Sequence, residues 1–121
     1  MNKKTEQLGL DAVVAYEEKN GRTATRVQKC GYDLLSKVND KEMRHIEVKA
    51  TTKQHFSPRW LEPLERQCAQ TDDLFYLYLV TSVGVDGQLP RVFEYDRAKL
   101  EDRFVGELIK YNYRFSKSDF S

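Results

Sequence analysis

The chain has 121 residues and a net charge of +1, a length that predicts one compact domain. Hydrophobic residues make up 40% and charged residues 32%, with three prolines and six glycines, which excludes collagen-like, low-complexity and intrinsically disordered proteins. The longest apolar run, Leu74 to Val80, is too short for a membrane-spanning helix, and polar residues interrupt any signal-peptide core near the N-terminus. We therefore expect a cytoplasmic protein that does not bind membranes.

The first half of the chain predicts one helix and three strands. Between about residues 5 and 20, apolar side chains recur at helical spacing, at Leu10, Val13 and Val14. The Asn20-Gly21 pair is typical of a helix end. Residues that favour extended backbone then fill three segments, 23–28, 31–38 and 44–51. The polar residues 39–41 predict a hairpin turn between the second and third of these strands.

The second half predicts a second helix, two strands and a short third helix. A proline is tolerated in the first turn of a helix, which places the second helix at about residues 62–70. The apolar residues 74–81 predict a central strand buried on both faces, and residues 91–95 predict a fifth strand. Asp96 is a suitable N-cap for a short helix that ends near residue 104.

The resulting order, αβββαββα, predicts an α/β fold with a mixed sheet of about five strands flanked by helices. Residues 105–121 have no clear period and are expected to form a C-terminal arm. We expect residues 1–121 to form a single domain.

Three charged residues on neighbouring strands form the candidate site. Side chains two apart on a strand share a face, so Glu47 and Lys49 project together, away from Ile46 and Val48. A hairpin between the second and third strands would bring Asp33 beside Glu47. Two close carboxylates repel one another unless a cation intervenes, and carboxylate oxygens suit Mg²⁺.

The spacing alone leaves a second interpretation open. Glu-x-Lys also occurs at Glu17 and Lys19, although only Glu47 and Lys49 lie in an apolar strand. A plain ion pair between Glu47 and Lys49 at a strand edge would also explain the pattern.

The same residues resemble a known nuclease signature. Asp33 stands fourteen residues before Glu47-Val48-Lys49, which resembles the D…(D/E)-x-K signature of the PD-(D/E)XK nuclease superfamily. Residues 31–36 and 46–52 are similar to the NO VEIN C-terminal domain family of nuclease-like domains, and residues 75–80 are similar to that family's tyrosine-rich strand. The resemblance covers about residues 9–95. One departure is Tyr32, which stands where the superfamily's name implies proline.

The resemblance implies a restriction-endonuclease-like fold and a DNA endonuclease, a phosphodiesterase that depends on Mg²⁺ or Mn²⁺. Asp33 and Glu47 would hold the metal, with the backbone carbonyl of Val48 as a third ligand. Lys49 would position or activate the hydrolytic water. The family's acidic residue on the first helix is carried over to Glu17, whose helical phase matches that of Leu10 and Val13. A surface glutamate at the helix end is the alternative for Glu17.

Basic residues are concentrated around this signature. Between Lys19 and Lys53, nine lysines and arginines face four acidic residues, a local excess of +5. The excess predicts either a solvated face or a nucleic-acid surface. In the second case the side chains that meet phosphates would be those of Arg22, Arg26, Lys29 and Lys53.

Two other functions remain compatible with the sequence. One is a non-catalytic module that binds nucleic acid or a protein in a defence or DNA-processing assembly, and the other is an α/β domain whose charges only pair. If the domain is an endonuclease, its small size predicts a homodimer or a targeting subunit, since cutting both strands needs two sites.

Overall fold

A computed structural model describes residues 3–29, 31–56, 59–107 and 111–121. The helices are α1 (Lys3–Lys19), α2 (Pro63–Thr71), α3 (Arg97–Glu101) and a 3-10 helix over Lys117–Phe120. The strands are β1 (Thr23–Lys29), β2 (Tyr32–Val38), β3 (Lys41–Ala50), β4 (Arg59–Leu61), β5 (Phe75–Thr81), β6 (Arg91–Tyr95), β7 (Phe104–Glu107) and β8 (Tyr111–Tyr113). None of the described helices is long and apolar enough to cross a membrane.

Five strands form a mixed central sheet in the order β1-β2-β3-β5-β6. The β3–β5 pair is parallel and the other pairs are antiparallel. Asn39 and Asp40 have φ angles of 49° and 68°, the left-handed values that a tight hairpin turn requires. The predicted α/β fold, the hairpin and the five-strand sheet are confirmed.

Helix α1 covers one face of this sheet. Its apolar stripe, Leu10 and Val13, packs with buried residues of β2, β3 and β5, which are Leu34, Ile46, Val48, Tyr78 and Val80. Gly9 allows the close approach, because a Cβ at this position would lie 2.5 Å from Ala50 Cβ. We call this side of the sheet the α1 face.

The opposite face is covered by the rest of the chain. Phe75, Leu77 and Leu79 of β5 pack with Tyr95 of β6 and with residues of α2, α3 and the C-terminal segment. We call this side the α2 face. Because the side chains of β5 are buried on both sides of the sheet, the prediction of a central buried strand is confirmed.

A second sheet of three short strands, in the order β4-β8-β7, was not predicted. Each of its strands has only three or four residues, too few to show a period-two pattern. The predicted C-terminal arm supplies β8 and most of β7, while β4 comes from the segment before α2. Three aromatic residues of the C-terminal arm are buried in the α2-face core: Tyr113, Phe115 and Phe120.

Candidate active site

Strand register brings Asp33 and Glu47 to the α2 face. Leu34 pairs with Ile46, and both side chains are buried under α1. Their neighbours Asp33 and Glu47 therefore point to the opposite face, and Lys49 shares that face with Glu47. Parity along the strands thus groups these three side chains as predicted.

Asp33 also closes the junction between β2 and β3. Pairing between the two strands ends at Leu34 and Ile46, and the Val48 N–H donates to Asp33 Oδ2 at 2.9 Å. The carboxyl groups of Asp33 and Glu47 are close enough that each changes the pKa of the other. Asp33 thus connects β2 to β3 and lies on the same face of the sheet as the Glu47 carboxyl group.

Lys49 lies between two glutamates. Its Nζ is 3.4 Å from Glu47 Oε2, and it donates to Glu65 Oε1 at 3.1 Å and Oε2 at 3.2 Å. Glu47 is 6% exposed, and the nearby charge of Glu65 contributes to raising the pKa of its carboxyl group. The described part of the site therefore contains three carboxyl groups and one ammonium group.

Glu65 is the member of this group that the sequence analysis missed. It is the third residue of α2, where it forms a capping box with Glu62: Glu65 Oε1 accepts from the Glu62 N–H at 2.9 Å. The Glu62-Pro63-x-Glu65 pattern is a helix-start signal that fixes the phase of Glu65. It does not show on which face of the sheet the helix packs.

Two carboxyl groups of this site, those of Glu47 and Asp33, have raised pKa values. Burial, followed by the charges of Glu65 and Asp33, raises the pKa of Glu47 well above its usual value. Burial also raises the pKa of Asp33, against the hydrogen bond from Val48. Burial acts to lower the pKa of Lys49, but Glu47 and Glu65 outweigh it and raise that pKa. Among the described side chains of the site, one ammonium group thus faces three carboxyl groups, which repel one another when ionised.

The donor set fits a hard divalent cation that keeps part of its water shell. Among the described residues, no three Asp, Glu, His or Cys side chains are arranged to hold a metal by themselves. Mg²⁺ is commonly bound through one or two carboxylates, with water and substrate phosphate completing its coordination. The pair Asp33 and Glu47 meets that requirement.

Glu17 does not lie with this group, which corrects the expectation that it approaches Asp33 and Glu47 from the first helix. It is fully buried on the α1 face, where Arg22 donates to both oxygens at 2.7 and 2.8 Å. Ser36 Oγ and Tyr78 OH donate to it at 2.7 and 2.9 Å. The inward phase was predicted correctly, but α1 packs on the face opposite Glu47.

Two of the predicted phosphate-binding residues, Arg22 and Arg26, already have side-chain partners. Arg22 is held by Glu17, and Arg26 donates to Gln7 Oε1 at 2.8 Å. Lys53 is exposed, just after the end of β3. The side chain of Lys29 lies outside the described residues.

An aromatic and acidic group supports the strand that carries Asp33. Tyr32 stacks on His45 of β3 with ring centroids 4.5 Å apart. His45 in turn contacts Asp72 Oδ2 through Nδ1 at 2.5 Å and Glu42 Oε1 through Nε2 at 2.8 Å. The residue before Asp33 is thus held by packing.

Comparison with known proteins agrees with this fold. A structure of Hjc, a Holliday junction resolvase from the archaeal hyperthermophile Archaeoglobus fulgidus, superimposes with a TM-score of 0.60. The match covers 98% of this chain and 88% of the resolvase chain at 16% sequence identity, a likeness of fold. No curated protein sequence matches. Residues 5–95 match the family described as Protein NO VEIN, C-terminal. The chain therefore belongs to the NO VEIN C-terminal family.

Proposed function

We propose that this chain is a single-domain, metal-dependent nuclease that hydrolyses phosphodiester bonds in DNA. The observation that carries the proposal is the buried carboxyl group of Glu47, which lies beside Asp33 and Glu65, with Lys49 as the cation that contacts it among the described side chains. Perturbed carboxyl groups that converge without enough positive charge are typical of functional sites. The fold shared with a resolvase supports the same class of reaction.

Asp33 and Glu47 are the residues that would hold Mg²⁺ or Mn²⁺, with the Val48 carbonyl as a third ligand. A bound cation would polarise the phosphoryl oxygen and lower the pKa of a bound water. The Val48 N–H orients the Asp33 carboxylate by donating to Oδ2.

We assign two roles to Lys49: it orients the attacking water, and it stabilises the charge of the transition state. Because its pKa is raised, the ammonium group keeps its proton at neutral pH and acts as a donor. A fixed cationic donor can orient the attacking water and stabilise charge that develops on the phosphate oxygens. Glu65 holds the ammonium group in place through both carboxylate oxygens.

The test is a cleavage assay on supercoiled, linear and single-stranded DNA, with Mg²⁺, Mn²⁺ or EDTA. We expect cleavage with either cation and none with EDTA. Asp33→Asn should abolish cleavage and Lys49→Ala should reduce it by orders of magnitude, while Asp40→Asn and Lys41→Ala, matched changes at exposed positions, should do neither. Equal cleavage by Asp33→Asn and the wild type would refute the assigned site.

A non-catalytic binding module is the second candidate. The pairing of Lys49 with two glutamates is compatible with this candidate, because an ion-pair network requires no reaction. This candidate predicts DNA or protein binding without cleavage under any of the cation conditions.

Double-strand cleavage would require two such sites. We therefore propose a homodimer or a complex with a targeting subunit. Analytical ultracentrifugation with and without duplex DNA distinguishes these arrangements, because a homodimer forms from this chain alone.

A further inference from the structure

We propose that a groove beside the end of β5 is a phosphate-binding site that holds the substrate strand next to the candidate active site. The inference rests on the proposed nuclease function for the identity of its ligand. The groove has a volume of about 460 Å³ and includes Thr81, Arg91 and Lys117 in its lining.

The groove and the active site share one face of the sheet. Lys49 pairs with Leu79 on β5, and Thr81 lies two residues further along the same strand. Thr81 pairs with Arg91 of β6, so both side chains point to the α2 face with Lys49. Arg91 lies two strands across and two residues along from Lys49, so their Cα atoms are roughly 12 Å apart, about twice the spacing between neighbouring phosphates on one DNA strand.

The lining chemistry suits an anion. Arg91, Lys117 and His55 line the groove together with hydroxyl and amide side chains. Among the described residues that line it, none is aspartate or glutamate. This contrasts with the active site, where carboxyl groups outnumber the single ammonium group.

Arg91 is held in position for such a ligand. Its Nη1 donates to the Phe120 carbonyl at 3.2 Å, and its guanidinium carbon lies 4.9 Å from the centre of the Phe93 ring. These contacts use one donor and one face of a group that has five N–H donors. The remaining donors of this exposed residue are available for phosphate oxygens.

The groove also adjoins the exposed Lys53, one of the predicted phosphate-binding residues. The Ser82 N–H at the groove donates to the Lys53 carbonyl at 2.8 Å. Arg22 and Arg26, in contrast, already contact Glu17 and Gln7. We therefore place the nucleic-acid contacts at the end of β5 instead of at Arg22 and Arg26.

The experiment measures duplex DNA binding at several salt concentrations, with Ca²⁺ in place of Mg²⁺ so that binding is measured without turnover. The Arg91→Gln/Lys117→Ala variant should reduce the slope of log K against log salt by about two units. The Lys19→Ala/Lys41→Ala variant removes the same charge from exposed sites elsewhere and should leave the slope near that of the wild type. Lys117→Ala alone, a change at an exposed residue, is the control in case the double variant misfolds. It should reduce the slope by about one unit.

A second measurement separates polymer phosphate from a free nucleotide. Amide NMR signals of Thr81, Ser82 and Gln88 are followed while thymidine 5′-monophosphate is added to the wild-type chain. Shifts at these residues with unchanged DNA slopes would support a phosphate site that takes a free nucleotide. Equal DNA slopes in both double variants and no nucleotide-induced shifts would overturn the groove proposal. The nuclease proposal would then still be decided by the cleavage assay.

Discussion

The two faces of the central sheet each bury a glutamate, and the surroundings of the two carboxyl groups are opposite. On the α1 face, Glu17 accepts hydrogen bonds from Arg22, Ser36 and Tyr78. Burial acts to raise the pKa of Glu17, but these bonds outweigh it and lower the pKa. On the α2 face, Glu47 lies beside two other carboxyl groups, and its pKa is raised.

The difference separates structure from function. A buried charge with a full set of partners contributes to the fold, because its desolvation is offset by hydrogen bonds. A buried carboxyl group among like charges costs stability, and it is retained where a cation or a reaction needs it. We therefore assign Glu17 to the fold and Glu47 to the site.

The largest effect is expected from breaking the network on the α1 face. Glu17→Ala leaves the Arg22 guanidinium and two buried hydroxyl groups without their acceptor, so the free energy of unfolding should fall by about 3–5 kcal/mol. Urea unfolding followed by circular dichroism measures this. Glu18→Ala, one residue along and exposed, should change stability by no more than about 0.5 kcal/mol. A loss below about 1 kcal/mol for Glu17→Ala would contradict its structural role.

Removal of the ammonium group should affect the reaction more than the fold. Lys49→Ala should lower the cleavage rate about 10²–10³-fold, the usual loss for one preorganised donor. Stability should change little, because Glu47 can take up a proton instead of remaining an unpaired buried charge. Initial rates on plasmid DNA, with parallel urea unfolding, check both expectations. A variant that unfolds while its residual activity per folded molecule stays at the wild-type level would favour a plain ion pair.

Glu65→Gln tests whether Glu65 positions Lys49. Glutamine still serves in a capping box, so α2 should keep its start while the ion pair to Lys49 is lost. We expect the cleavage rate to fall about tenfold, at the low end of what loss of a supporting contact costs. Glu62→Gln removes a charge three residues earlier and is the matched control. Equal cleavage rates for the two variants would contradict a role of Glu65 in positioning Lys49.

The smallest effect is a pH-dependent gain in stability. In the absence of divalent cations, Glu47→Gln should stabilise the fold by about 1 kcal/mol at neutral pH, since it removes like-charge repulsion. The folded pKa of Glu47 lies above the unfolded value of about 4.5, so the wild type loses stability as pH rises from 4.5 through the folded pKa. Below pH 4.5 the two proteins should be equally stable. Urea unfolding at pH 4 and pH 8 in EDTA measures the difference, and an unchanged difference between the two pH values would contradict the raised pKa.

Most elements of the central fold could be predicted because their signals are local. The Asn39-Asp40 turn, the alternation along β3 and the apolar run of β5 each lie within a few residues. The β4-β8-β7 sheet could not be predicted, because β4 and β8 are separated by about fifty residues and neither has a pattern of its own.

The site was predictable to the extent that strand parity determines it. Parity grouped Asp33, Glu47 and Lys49, but helical period alone could not place Glu17 or Glu65. The period shows which side of a helix faces the sheet, and not which face of the sheet the helix covers. One clue was present: the apolar stripe of α1 should pack on the apolar side of β3, away from Glu47.

The most direct test of the account is a calorimetric titration of the chain with Mn²⁺. We predict one bound ion per chain for the wild type, loss of binding in Asp33→Asn, and unchanged binding in Asp40→Asn. Binding of equal strength in Asp33→Asn and the wild type, or no binding by the wild type, would contradict a cation site between Asp33 and Glu47.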